Sequence, residues 1–289
     1  MMTSRFIPIL LVLGVSTLSG GCVLVRKGAA RVAAPVATQL SDGLMRQSDV
    51  ELVRDGAPAF LLMLDAMAEG HPGNPTILLA AAEAQLAYAT AFVEKGRRSR
   101  SMYQKARDYG LLALSRNKHF AAALEGSIDD FERALGHFRK RDAHALLTTA
   151  TAWAFWITAS ADSPAAFGQM PRVLAMMERV RQLDPDIRQG ALDQFYGIYS
   201  TVMPPGGGRD LDQARAHFER SMEIAGPDYL LNRVVFAEFY ARYAFDEDLF
   251  RSTLQAVLEA DPQAPEYTLM NSVAKQRARA LLDQMEELF

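Results

Sequence analysis

The sequence predicts an all-α protein of about a dozen helices, and three observations predict it. Apolar residues recur at three- and four-residue steps, and no stretch alternates in period two over a convincing length. Proline- and glycine-rich breaks punctuate the chain at 70–75, 96–100, 162–164, 184–186, 204–208, 226–228 and 261–265, where proline lacks an amide donor and glycine turns left-handed. One apolar frame then recurs from helix to helix.

That frame reads apolar, four on apolar, three on apolar, five on proline. Phe60-Leu64-Met67-Pro72, Val173-Met177-Val180-Pro185 and Phe250-Leu254-Val257-Pro262 share it, Ala214-Phe218-Ser221 has Pro227 one residue late, and Ala106-Gly110-Ala113 has Lys118 in the proline place. The spacing is near the ~34-residue tetratricopeptide period, whose second helix carries A-x3-F and a closing proline. The sequence therefore predicts degenerate tetratricopeptide-like repeats stacked as an α-solenoid, because a helix pair cannot bury its apolar face alone. A plain helical bundle is the simpler alternative.

In chain order, Arg5 is the first charge and precedes an apolar run from Phe6 to Val15 and the small residues Ser16 to Gly21. This reads as a secretory signal over 1–21, too short to span ~30 Å of hydrocarbon. Cys22, the one cysteine of 289 residues, follows like the acylation site of a bacterial lipobox, with Ser19 where leucine is usual. Several acyl chains on one residue anchor far better than one, at ~0.8 kcal/mol per buried methylene. Residues 22–40, rich in alanine and valine, read as the tether, and 41–289 as the helical-repeat domain. At the other end Leu269, Val273, Ala274, Ala278, Leu281, Leu282, Met285 and Leu288 form one stripe of a long terminal helix. Asn271 interrupts that stripe; it is poor for a helix but suited to hydrogen-bonding a neighbouring loop, a structural role.

Composition excludes several functions. Lys and Arg total 31 against 34 Asp and Glu, so the chain lacks the positive excess that a nucleic-acid partner favours. A single cysteine allows neither a disulfide within the chain nor a thiolate metal cage. No nucleophile elbow, zinc-binding helix or phosphate-binding loop motif occurs in the chain beyond the signal, so no enzyme activity, cofactor or metal is expected. His137 and His144 lie two turns apart, a poor geometry for one ion.

Three features could meet a ligand. Trp153 and Trp156, three apart on one helix, are able to face one way, as core or as the lining of a cavity. Pro204, Pro205, Gly206, Gly207 and Gly208 could cradle an anion, or simply join two helices with Asp210 or Asp212 as cap. Arg97, Arg98, Arg100, Lys105 and Arg107 form a local basic patch, read as a solvated helix start.

The second half of the chain resembles the T-component family of TRAP-transporter-associated lipoproteins. The resemblance is carried by Thr151-Ala-Trp-Ala-Phe-Trp-Ile157 with Asp162, by Leu183-Asp-Pro185 with Gly190, and by Met203-Pro-Pro-Gly-Gly-Gly208 leading into Ala214-Arg-Ala-His-Phe-Glu219. Leu269-Met-Asn271, Ala274, Arg277-Ala278, Leu281-Leu282 and the ending Glu287-Leu288-Phe289 complete it; the third glycine at 208 and Met270 depart from it. The resemblance implies a periplasm-facing lipoprotein, held in the outer membrane through acylated Cys22, that forms a homotrimer. It also implies docking of the solute-binding P-component of a TRAP transporter and passage of an apolar or carboxylate ligand, with Trp153, Trp156 and Pro204 to Gly208 as passage candidates. The alternative is an envelope assembly or scaffold lipoprotein whose repeats bind other proteins.

Overall fold

The computed structural model describes residues 43–203 and 208–289; the expected signal segment, Cys22, the tether over 22–40 and Pro204, Pro205, Gly206 and Gly207 lie outside the described residues. Among the described residues the protein is all-α, without strand. After one turn at 43–45 come fourteen helices: α1 (Val50–Gly70), α2 (Pro75–Phe92), α3 (Arg97–Leu114), α4 (Lys118–Ala123), α5 (Ile128–Leu135), α6 (Ala143–Ala159), α7 (Pro164–Phe167), α8 (Met170–Leu183), α9 (Ile187–Val202), α10 (Leu211–Ala225), α11 (Leu231–Phe236), α12 (Glu247–Glu259), α13 (Thr268–Asp283) and α14 (Met285–Leu288). A five-residue π-helical segment, Ala237–Ala241, continues α11.

Short polar side chains start these helices. Asp49, Asn74, Asn117, Ser127, Asp210 and Asp246 each accept an amide hydrogen from the first turn that follows, which satisfies a donor without an intrahelical partner. Asp210, not Asp212, is the cap after the glycine loop. Pro75 and Pro164 open α2 and α7, where a missing amide removes no helical bond. The terminal helix is shorter than its stripe predicts, because it breaks at Gln284 and restarts as α14.

The recurring frame falls on the buried side of five helices. Val173, Met177 and Val180 of α8, and Phe250, Leu254 and Val257 of α12, are fully buried. Ala214, Phe218 and Ser221 of α10 and Ala106, Gly110 and Ala113 of α3 are buried as well, whereas Phe60 and Met67 of α1 are only half-buried beside buried Leu64. α6 forms the middle of the largest apolar cluster, with Leu146, Leu147, Ala150, Trp153 and Ile157 packed on Val173, Met176, Met177 and Val180. Its other side lies against α3 so closely that a Cβ on Gly110 would sit 2.3 Å from Thr149 Oγ1.

Helices adjacent in sequence mostly pack on one another: α1 on α2, α2 on α3, α9 on α10, α11 and α12 on α13. Others skip along the chain, α6 packing on α3 and α8 and α5 on α8, and one of them spans nearly all of the described residues. α13 returns to α1, where Leu269 and Val273 meet Val50 and Val53. In a simple solenoid each unit touches only its neighbours; here the last long helix also touches the first.

Candidate functional site

The most unusual backbone lies at the start of α9. Arg188 (φ 48°), Gln189 (φ 52°) and Gly190 (φ 71°) occupy the left-handed region in succession. Glycine adopts it freely, but a residue with a Cβ loses roughly 1–2 kcal/mol there. Such strain persists only where surrounding bonds over-determine it.

Those bonds are present. The Asn232 side-chain amide donates to the Gln189 carbonyl at 2.8 Å and to Ser221 Oγ at 2.8 Å, while Asn232 Oδ1 accepts from Gln194 Nε2 at 2.8 Å. Gln189 Nε2 donates to the Tyr267 hydroxyl at 3.3 Å. Gly190 is pressed on α10: an added Cβ would lie 2.7 Å from the Ser221 Cα and carbonyl oxygen.

The turn brings together charged groups far apart in sequence. Arg188 Nη1 lies 3.0 Å from both ring nitrogens of His144 at the start of α6. His144 Nε2 in turn contacts the Glu83 carboxylate of α2, and Arg188 Nη1 is 4.0 Å from the same carboxylate. Each of the three side chains keeps a third to a half of its surface exposed. Beyond them, the Tyr229 and Tyr267 rings meet edge to face at 5.0 Å. Burial pushes the Tyr229 hydroxyl up to about 12, against a downward pull from the Arg188 guanidinium.

Asn271 holds this loop in place. Fully buried on α13, it accepts from the Leu230 amide at 3.0 Å and donates to the carbonyls of Asp228 at 2.8 Å and Pro262 at 3.3 Å. Its two first partners flank Tyr229.

A second charged centre sits on the π-helical segment. Such a segment re-aims side chains relative to an α-helix and often marks function. Here Glu238, mostly buried, pairs with Arg277 of α13. Burial pushes the nearby Tyr103 hydroxyl of α3 up, while Thr90 and the Arg277 charge act in the opposite direction.

The residues expected from sequence are placed as follows. Trp153 is buried in the core, its indole N–H donating to Gln169 at 2.9 Å and its ring edge-on to Phe131. Trp156 is half-buried under the Arg107 guanidinium, 4.0 Å from the ring centre. Trp153 is nine residues along α6 from His144, roughly 13 Å by helical rise. Gly208, at φ 111°, is exposed, and Arg209 Nε donates to the carbonyls of Thr201 and Met203. The basic patch is largely paired: Arg100 with the Ala159 carbonyl and Asp162, Lys105 with Asp65, Arg107 with Asp108. His119 and His137 stack face to face at 3.9 Å, and among the described residues no group of three or more His, Cys, Asp or Glu could hold a metal ion. Sequence reasoning missed Glu83, Arg188, Tyr229, Tyr267 and Asn232; of that region it named Gly190 within the resemblance and His144 only as a poor metal ligand.

This polar hub, its strained turn and the Asn271 clasp all lie within residues 46–289, the span matched by the family model described as the TRAP transporter T-component. The chain belongs to that family. Comparison with curated proteins gave no match. A T-component is part of a TRAP transport system, so the hub is a feature of a transport component. Among the described residues of this T-component no helix is long and apolar enough to cross a membrane.

Proposed function

We propose that this T-component is a lipid-anchored adaptor that docks the solute-binding P-component of a TRAP system and passes an apolar or carboxylate ligand. The observation that carries this reading is the family match over 46–289. In it, residues 1–21 are the signal that is removed, acylated Cys22 holds the protein in the outer membrane facing the periplasm, and 22–40 tether a domain of degenerate tetratricopeptide-like pairs over 41–289. The fully buried frame residues of α8 and α12 support the repeat reading, since they occupy equivalent places on two helices. The adaptor assembles as a homotrimer. Trp156, partly open, is the stronger passage candidate of the tryptophans, and Pro204 to Gly208 are the other candidates; Trp153 supports the wall from the core.

Mild cross-linking of membranes followed by purification of the anchored protein tests the reading. Recovery of a P-component is expected. Recovery of other envelope proteins alone, with envelope defects and normal solute uptake on deletion, favours the scaffold reading in its place.

A further inference from the structure

Ionisable side chains from three separate helices meet at His144, and their chemistry dictates its hydrogens. His144 Nε2 contacts the Glu83 carboxylate, which when ionised only accepts, so that nitrogen carries a hydrogen. Arg188 Nη1 only donates and lies 3.0 Å from the ring nitrogens, so Nδ1 is the bare acceptor. The neutral imidazole therefore bridges Glu83 of α2 to Arg188 of α9. A protonated ring has two N–H donors and no lone pair. It keeps Glu83 but sets a second positive charge 3.0 Å from the guanidinium.

The other charged groups around this site already have partners. On the turn before α6, Asp142 accepts from the Arg139 amide, and Lys140 pairs with Asp184 at 3.2 Å. Beside Arg188, Asp186 pairs with Arg220 at 2.8 Å, and the Tyr229 hydroxyl is pushed up to about 12. α3 and α8 also pack on α6, and their charges pair elsewhere, Arg107 with Asp108 and Arg181 with Glu178; α7 carries none. Imidazole is the side-chain type here whose ordinary titration falls between pH 5 and 8.

From this geometry we infer that His144 is a proton-operated latch on the start of α9. Neutral, it ties α2, α6 and α9 together and holds Arg188 in the left-handed turn. Protonated, it keeps Glu83 and expels Arg188, so α9 loses this tie to α6 while α2 retains its own. The turn is suited to release because Arg188 and Gln189 are held in a conformation that residues with a Cβ disfavour. Once Arg188 leaves, Asn232 and Tyr267 hold the turn through Gln189 alone. The exchange of partners is local and independent of the adaptor reading.

Hydrogen–deuterium exchange of the detergent-solubilised full chain at pH 8 and pH 5, corrected for the intrinsic exchange rate, tests the latch. The peptide spanning 187–194 is expected to exchange about tenfold faster or more at pH 5, the effect of losing one bond to a charged group. The peptides bearing Glu83 and His144 are expected to keep their protection. His144→Gln is the informative variant, because its amide offers a donor to Glu83 and an acceptor to Arg188 but takes up no proton. Its 187–194 peptide is expected to exchange alike at the two pH values. Arg188→Asn is the second variant, since asparagine tolerates the left-handed region. Without the guanidinium it too is expected to lose the pH dependence, whether or not His144→Gln folds. Unchanged exchange in the wild type, acceleration spread evenly over the chain, or the wild-type acceleration in a folded His144→Gln or Arg188→Asn would each overturn the latch.

Discussion

The Asn271 side chain reaches from α13 to the Leu230 amide, 3.0 Å away, and so joins the last long helix to the loop that carries Tyr229. Its three bonds are all to backbone groups, two across more than forty residues of sequence. Asn271→Ala would orphan a buried amide and two carbonyls, and a loss of roughly 1–3 kcal/mol is expected. Chemical denaturation measures it; an unchanged midpoint would refute the clasp.

Gly190→Ala is expected to be costlier than most glycine substitutions. Alanine at φ 71° loses ~1–2 kcal/mol, and its Cβ would meet the Ser221 backbone at 2.7 Å, for a further ~1–3 kcal/mol. Gly208→Ala, at φ 111° with nothing within 4 Å of the Cβ, carries the conformational term alone. Equal losses for the two variants would show that α9 does not press on α10.

Glu238 and Arg277 make the third case. Replacing Arg277 by methionine would leave a mostly buried carboxylate without its cation, at a cost of ~3 kcal/mol; the partial exposure of Arg277 places this at the low end for a broken buried pair. Adding Glu238→Gln should restore much of the loss. A double-mutant cycle with no coupling between the two would refute the pairing.

High pH should also act through the tyrosines. Burial pushes Tyr196 and Tyr229 up to about 12, above the value near 10 of an exposed phenol. Between about pH 10 and 12 the unfolded chain therefore holds fewer protons than the folded one, and stability falls across that window; below about pH 10 these groups contribute no pH dependence. In a tyrosinate absorbance titration, at least two of the nine tyrosines should stay protonated at about pH 11 while helicity persists. Ionisation of all nine in the folded protein at that pH would contradict the burial of these rings.

The sequence showed clearly what helical periodicity controls. Val173, Met177, Val180, Phe250, Leu254 and Val257 could be placed in a core because each helix must hide one stripe, whatever its neighbours. Asn271 was visible for the converse reason, as a polar residue inside such a stripe. The short helix α4 was missed, although Asn117 caps it. The hub was invisible because Glu83, His144 and Arg188 are 61 and 44 residues apart and follow no local pattern. The left-handed state of Arg188 and Gln189 comes from Asn232 and Tyr267, not from their own preferences, and a π-helical segment has no mark in composition.

The return of α13 to α1 changes how the molecule can come apart. In a row of units with two free ends, peeling begins at either end and proceeds inward, one pair at a time. Here detaching α13 uncovers Val50 and Val53 at the opposite extremity of the fold, and detaching α1 uncovers Leu269. Neither extremity can fray without the other, so heating should give one sharp calorimetric peak, and a circular permutant that joins the two ends should keep the native packing.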